Sequence, residues 1–211
     1  MNNMIIRDVE AKDIQAIKHA INDVWCFSEL VESEELLDAT IGLYLNQILY
    51  GGTFGRVAVL DDKVVGVIFG VVNGEEPKYR KLLEDGTAHA IAWLGASKTE
   101  QEGIYEYFSK QKEVYEQLSN DLLDNYDASL DFLVLAKEAQ GLGVGKKLWE
   151  TLKAYFEEKN AKSVYLYSDT ECNYGFYEHQ GFTRRRERDT NFEFEGHIFK
   201  TTNFLYDLQI D

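Results

Sequence analysis

Two periods of apolar residues run along this chain and divide it into strands and helices. "MIIRDVE" (Met4–Glu10) reads as a short strand. "KDIQAIKHAINDVW" (Lys12–Trp25) places Ile14, Ile17, Ile21 and Val24 on one helical face, with Asp13 as N-cap or first-turn residue. "SEELLDATIGLYLNQIL" (Ser33–Leu49) aligns Leu37, Ile41, Leu45 and Ile48 behind a Ser33 cap. Two β-branched runs between Gly55 and Val72 flank Asp61-Asp62-Lys63 and predict a hairpin. Residues 75–128 then turn helical, and their second half carries Ile104, Phe108, Tyr115, Leu118 and Leu122 along one stripe. About 50 residues make a marginal core alone, so this block reads as a helical insertion in one domain spanning 1–211. "LDFLVL" (Leu130–Leu135) and "SVYLYSD" (Ser163–Asp169) are strands, separated by a helix-forming stretch. "NYGFYEHQGF" (Asn173–Phe182) is a short helix ending at Gly181, and the tail reads as two strands around Glu195-Gly196. The order predicts a mixed α/β sheet with strand–helix–strand units toward the C-terminus.

Composition narrows the classes. With 45% of its 211 residues apolar, the chain can build a packed core. No apolar run approaches the roughly 18 residues of a membrane helix. The N-terminus lacks a basic region followed by an apolar stretch, so no signal peptide is expected. Two cysteines, Cys26 and Cys172, suit a reducing, cytoplasmic setting. The four histidines lie far apart without Cys or His at ligand spacing, so no metal is expected. A net charge of −15 disfavours nucleic acid and anionic lipid and favours cationic partners; solubility alone is the plainer account of it.

The candidate chemistry sits in "AKEAQGLGVGKKLWETLKAYF" (Ala136–Phe156), where Gly141, Gly143 and Gly145 join a strand to a helix. A helix start leaves N–H groups unpaired and carries partial positive charge, and glycines let a phosphate approach them. The dinucleotide pattern fails because Lys146 stands where its third glycine belongs. The P-loop fails twice, at Gln140 and Lys147.

The pattern that does fit is Q/R-x-x-G-x-G/A after a strand, met by Gln140, Gly143 and Gly145. In this the sequence resembles the GNAT acyl-CoA-dependent N-acetyltransferases. "IIRDVEAKDIQAI" resembles that family's first strand and helix, and "VAVLDDKVVGVI", with Gly66, its central hairpin. "NYGFYEHQGF" is similar to its closing helix through Phe176-Tyr177-x-x-x-Gly181-Phe182. Together these segments cover most of the chain outside residues 75–128.

The resemblance implies a GNAT fold whose two central strands splay apart to take the pantetheine arm of acetyl-CoA. Backbone at Leu133, Val134 and Leu135 would hold pantetheine, and backbone around Gln140, Gly141, Gly143, Val144 and Gly145 the pyrophosphate. Asn173 would meet the pantetheine, or cap the last helix. Tyr177 matches the family tyrosine beside the cofactor sulfur. Lys137 stands where the family often has proline, which implies a freer start to the loop.

Acetyl transfer to an amine requires removal of a proton from an amine whose pKa is roughly 10.4, and a donor helps the departing thiolate. Asp131 is the candidate base, sharing parity with Leu133 and Leu135; a solvated carboxylate at the strand start, with water relaying the proton, is the alternative. Glu34 and Glu35 fall where the family's acceptor site is bordered, and Trp25, Cys26 and Phe27 would either wall that site or pack in the core. In "RRRER" (Arg184–Arg188), Arg184, Arg186 and Arg188 would share one strand face, solvated or reaching the cofactor's 3′-phosphate. The sequence therefore implies transfer of an acetyl group from acetyl-CoA to a primary, cationic small-molecule amine by direct attack on the thioester. A homodimer stays open. The rival is a non-catalytic acyl-CoA-binding sensor or structural module of the same fold; an ATP-dependent kinase is opposed by the failed P-loop.

Overall fold

In the computed structural model, which describes residues 4–194 and 197–210, seven strands form one mixed sheet in the order β1-β2-β3-β4-β5-β7-β6. They are β1 (Met4–Asp8), β2 (Phe54–Leu60), β3 (Lys63–Val72), β4 (Ala128–Leu135), β5 (Ser163–Asp169), β6 (Thr183–Phe194) and β7 (His197–Gln209). Six helices connect them: α1 (Ile14–Trp25), α2 (Glu34–Gly51), α3 (Gly86–Gly95), α4 (Lys98–Ser119), α5 (Val144–Glu158) and α6 (Gly175–His179). The junction expected at Glu195-Gly196 lies outside the described residues.

Local chemistry accounts for most boundaries. Asp61 and Asp62 both take positive φ, 48° and 64°, and close the β2–β3 hairpin in two residues. The Ser33 hydroxyl accepts from the Leu36 N–H at 3.1 Å and caps α2. Asp13, in contrast, makes no side-chain cap to α1. Its carboxylate is held by Arg7 at 2.7 and 2.8 Å and by the Glu10 N–H at 2.9 Å.

The sheet is covered on both faces. On one, α5 buries Val144, Leu148, Leu152 and Phe156 against Ile68, Leu130, Val164 and Leu166. On the other, α1 and α2 bury Ile17, Ile21, Leu45 and Leu49 against Val57, Val67, Phe132 and Val134. The expected stripe splits between two clusters: Ile104 and Phe108 of α4 join α1 and α2, while Tyr115 and Leu118 of α4, and Leu122 beyond its end, pack with Leu205 and Tyr167. The residues before α3 are pinned to α1 and α2 by charge. Lys18, itself buried, contacts Glu84 at 2.9 Å and Asp38 at 2.6 Å, and Glu84 also meets His89 at 3.1 Å.

Two interruptions of strand pairing position the site. β4 and β5 pair in parallel only at Ala128–Val164 and Ser129–Tyr165, and then separate. β4 stays with β3 as far as Leu135, and β5 stays with β7 as far as Asp169, so a gap opens between them. Within β4, Leu130 opposes Gly70 and Phe132 opposes Phe69, leaving Asp131 as an extra residue in a β-bulge.

Candidate active site

The bulge changes which face each side chain takes. Leu130 packs with α5, whereas Phe132 and Val134 pack with α1 and α2. Leu133 and Leu135 lie against the α5 cluster. The parity expected between Asp131, Leu133 and Leu135 is therefore broken. The Asp131 carboxylate instead accepts from the Ser129 hydroxyl, beside Tyr165 and Tyr167. By surface area Asp131 is exposed, yet protein crowds it at the floor of a cleft. That crowding penalises the charge and raises its pKa to about 6, with the Ser129 hydrogen bond pulling the other way. Desolvation beside Phe132, Tyr165 and Tyr167 outweighs the one hydrogen bond, so the shift is upward.

A cavity of about 260 Å³ occupies the gap in the sheet and is lined from both faces. Asp131, Phe132, Tyr44, Tyr115 and Tyr167 border it on the α4 side, and Tyr177 borders it from α6. Tyr177 is buried against Phe176, Phe182 and Tyr206. Burial, with Cys172 and Asp169 nearby, pushes its phenol pKa well above the usual value, so it stays a proton donor. Asp169 fixes the turn before α6, accepting from the Glu171 and Cys172 N–H groups at 2.9 and 3.0 Å.

The glycine loop adjoins the far end of β4. Gly141 and Gly143 have φ of 76° and 75°, and a Cβ on either would meet open space. Gly143 caps α5, whose first helical bond runs from Lys147 N–H to the Gly143 carbonyl at 3.1 Å. The N–H groups of Val144, Gly145 and Lys146 precede that bond and have no partner within the helix. Gly145 is small for another reason: a Cβ there would press on Leu135 at 3.1 Å and approach Phe176 at 3.6 Å. The loop's beginning is not freed by the missing proline. Ala136 N–H bonds to Val65, and Lys137–Ala139 form a 3₁₀ turn that ends at Gln140.

Several other expectations change. α6 starts at Gly175, and Asn173 gives it no side-chain cap; its carbonyl accepts from the Phe176 N–H at 3.1 Å, and its side chain is exposed. A bulge at Arg185 breaks the shared face of the arginines. Arg184 bonds Glu178 and Tyr206 and lies 4.1 Å over Phe204. Arg185 bonds Asp207, while Arg186 donates to carbonyls at the end of α4. Arg184, Arg185 and Arg186 are thus spent on internal contacts, while Arg188 is exposed. Trp25 and Cys26 line a second cavity of about 550 Å³, but Phe27 is buried, and Glu34 and Glu35 are exposed on α2 away from both cavities.

The sequence reading missed most of the cleft wall: Tyr107, Gln111 and Tyr115 from α4, Tyr165, Tyr167 and Asp169 from β5, and Tyr44 from α2. Its signal was present. Residues 107, 111 and 115 share one helical face, and 165, 167 and 169 one strand face.

Among the described residues, no group of three or more His, Cys, Asp or Glu is arranged to hold a metal ion, and no helix is long and apolar enough to cross a membrane.

A family model described as acetyltransferase (GNAT) matches residues 17–182. No curated protein matches by sequence. Among solved structures, an N-acetyltransferase from Staphylococcus aureus Mu50 aligns over 99% of both chains with a TM-score of 0.54 at 12% identity. A ribosomal-protein-alanine N-acetyltransferase from Brucella melitensis aligns over 97% of this chain and 99% of its own, with a TM-score of 0.53 at 13% identity. The Salmonella typhimurium protein yncA, solved with its cofactor acetyl-CoA, aligns over 99% of this chain and 94% of its own, with a TM-score of 0.51 at 14% identity. At such identities the likeness is one of fold.

Proposed function

The chain belongs to the acetyltransferase (GNAT) family, and on that premise we propose that it moves an acetyl group from acetyl-CoA to a primary amine by direct attack on the thioester. The observation that carries this reading is the gap between β4 and β5, which brings Asp131 and Tyr177 onto one cavity from opposite faces of the sheet.

The chain has room and donors for acetyl-CoA. Beyond Ser129, β4 keeps one edge free of β5, so backbone at Leu133, Val134 and Leu135 is available to a pantetheine arm. The open space over Gly141 and Gly143, and the first N–H groups of α5, suit a pyrophosphate. That yncA was solved with acetyl-CoA supports the assignment. Acetyl-CoA supplies the acetyl group as an activated thioester.

The protein's own groups manage the protons. The bound ammonium first gives one proton to water to free its lone pair; Asp131, ionised above about pH 6, then takes the second proton, which the nitrogen releases as it bonds to the acyl carbon, directly or through one water. Ser129 orients that carboxylate by its hydrogen bond. Tyr177 keeps its hydroxyl proton and can donate it to the departing sulfur. α4, part of the block read as an insertion into one domain, walls the amine's side of the cleft.

The test is release of free CoA thiol across a panel of primary amines, with detection of the N-acetyl product. Amine-dependent thiol release supports the reading. Tight acetyl-CoA binding without transfer to any amine would replace it with the non-catalytic module.

A further inference from the structure

We propose that the acceptor is a monocationic amine carried on an apolar body, bound amine-first through the larger cavity between the turn after α1, α4 and the β6–β7 pair. This rests on the acetyl-transfer reading above. The two cavities share Trp25, Gln111 and Asp169 and so form successive parts of one cleft.

The inner part suits one ammonium group. It presents two carboxylates, Asp131 and Asp169, among the rings of Trp25, Tyr44, Tyr115 and Tyr167. Those rings are fixed: Tyr115 stacks on Tyr167 at 4.1 Å, and Trp25 lies 5.4 Å from Tyr44 and stacks on Phe132 at 5.6 Å. Aromatic faces attract a cation, most strongly where water is scarce.

The outer part suits something else. Its volume of about 550 Å³ is that of a pocket for a whole small molecule. Val24, Leu30, Tyr107 and Val114 give it apolar walls. Its charged groups, beyond the shared Asp169, come in both signs, with Glu29 and Glu171 against Lys110 and Lys200. A second ammonium there would gain little from the carboxylates and would face two lysines. Gln111, Thr190, Thr201 and Asn203 also line this outer part, but Asn203 donates to Thr190 and the Thr201 hydroxyl pairs with that of Thr170, so a hydroxyl-rich amine would lose water without full replacement of its hydrogen bonds. An apolar body loses nothing polar and gains from burial.

The experiment compares acceptors at saturating acetyl-CoA, each rate corrected for the fraction of neutral amine at the assay pH: 2-phenylethylamine and tryptamine against 1,4-diaminobutane, spermidine, glucosamine and a short peptide with a free N-terminus. The expected result is a kcat/KM for the two aryl amines higher by about tenfold or more. In Lys110→Glu, a change on an exposed side chain, the gap to the diamine should narrow several-fold while the KM for acetyl-CoA stays put. A diamine, sugar amine or peptide that equals or exceeds the aryl amines overturns the proposal and leaves acetyl transfer standing. If nothing turns over, calorimetric titration of the same amines into the CoA-loaded protein measures the same preference and decides it by the same criterion. If acetyl-CoA does not bind, the function reading fails, and titration of the free protein still decides the cavity's ligand.

Discussion

Asp131 carries a carboxyl that titrates at about 6, against an ordinary value of 3.8, because the protein around it disfavours its charge. Below pH 6 it holds a proton and cannot accept one from the amine. We expect kcat/KM to fall about tenfold per pH unit on that limb, and the limb to vanish in Asp131→Asn, with kcat lowered by about 10²- to 10⁴-fold. Stability should respond oppositely. A raised carboxyl pKa means that the folded state favours the protonated form. Its contribution is fully present below pH 3.8 and is lost as pH rises through 6. Thermal melts should therefore show Asp131→Asn gaining on the parent between pH 4 and pH 8; a uniform loss at both would mean that the carboxylate is structural. Tyr177 makes the complementary test. Tyr177→Phe keeps the packing against Phe182 and Tyr206 and removes only the hydroxyl. Steady-state kinetics should show kcat down by about tenfold or more, with Tm and acetyl-CoA affinity scarcely changed. An unchanged kcat would leave Tyr177 as a core ring.

At the scale of elements, the loop and α4 make separable predictions. Gly143 sits at φ 75° as the cap of α5, where a Cβ is disfavoured by about 1–2 kcal/mol even with free space around it. Gly143→Ala should weaken acetyl-CoA in calorimetric titration by about tenfold, the equivalent of 1.4 kcal/mol, while Tm falls by about 2–8 °C. Unchanged affinity would remove the pyrophosphate from this loop. α4 is tied to the acceptor side by one carboxylate. Glu100 accepts from the Glu32 N–H at 3.0 Å and from the Ser97 N–H at 2.9 Å, joining the α4 cap to the segment that carries Glu29 and Leu30. Glu100→Ala should cost about 0.5–2 kcal/mol of stability and raise the acceptor KM without moving that of acetyl-CoA. A rise in the acetyl-CoA KM alone would place α4 on the wrong side of the reaction.

These elements also show what the sequence could tell. Strands and helices followed from periodicity because each is half-buried, and Ser33 and Asp61-Asp62 announced a cap and a turn by their own chemistry. The bulges at Asp131 and Arg185 left no mark. One extra residue in a strand pairing alters the partner's register while the local alternation reads on unbroken, so Asp131 was assigned the face of Leu133. Gly145 was read with the other glycines, but only the packed fold reveals that Leu135 and Phe176 occupy the space its Cβ would need. The cleft itself joins α1, α2, α4, β4, β5 and α6, and such long-range meetings are not written in any window of sequence.

For the whole molecule, charge acts at distances that the cleft cannot. The chain carries −15, while the larger cavity is bordered by both signs, so attraction for a cationic amine must come from the summed field as well as from Asp131 and Asp169. A field of this kind raises the encounter rate of an oppositely charged ligand and is screened by salt. The screening length is about 30 Å at 0.01 M ionic strength and about 8 Å at 0.15 M. The first spans a protein of this size and the second does not. Contacts inside the cleft, shielded by Trp25 and the tyrosines, should persist at both. We therefore expect the acceptor's kcat/KM to fall several-fold over that range at saturating acetyl-CoA, chiefly through KM, and to level off at higher salt where the local contacts remain. Stopped-flow or steady-state measurement with one amine across a salt series checks this. A kcat/KM that is flat from the lowest salt upward would assign all of the amine's attraction to the cleft's own carboxylates and rings, and would leave the net charge to solubility alone.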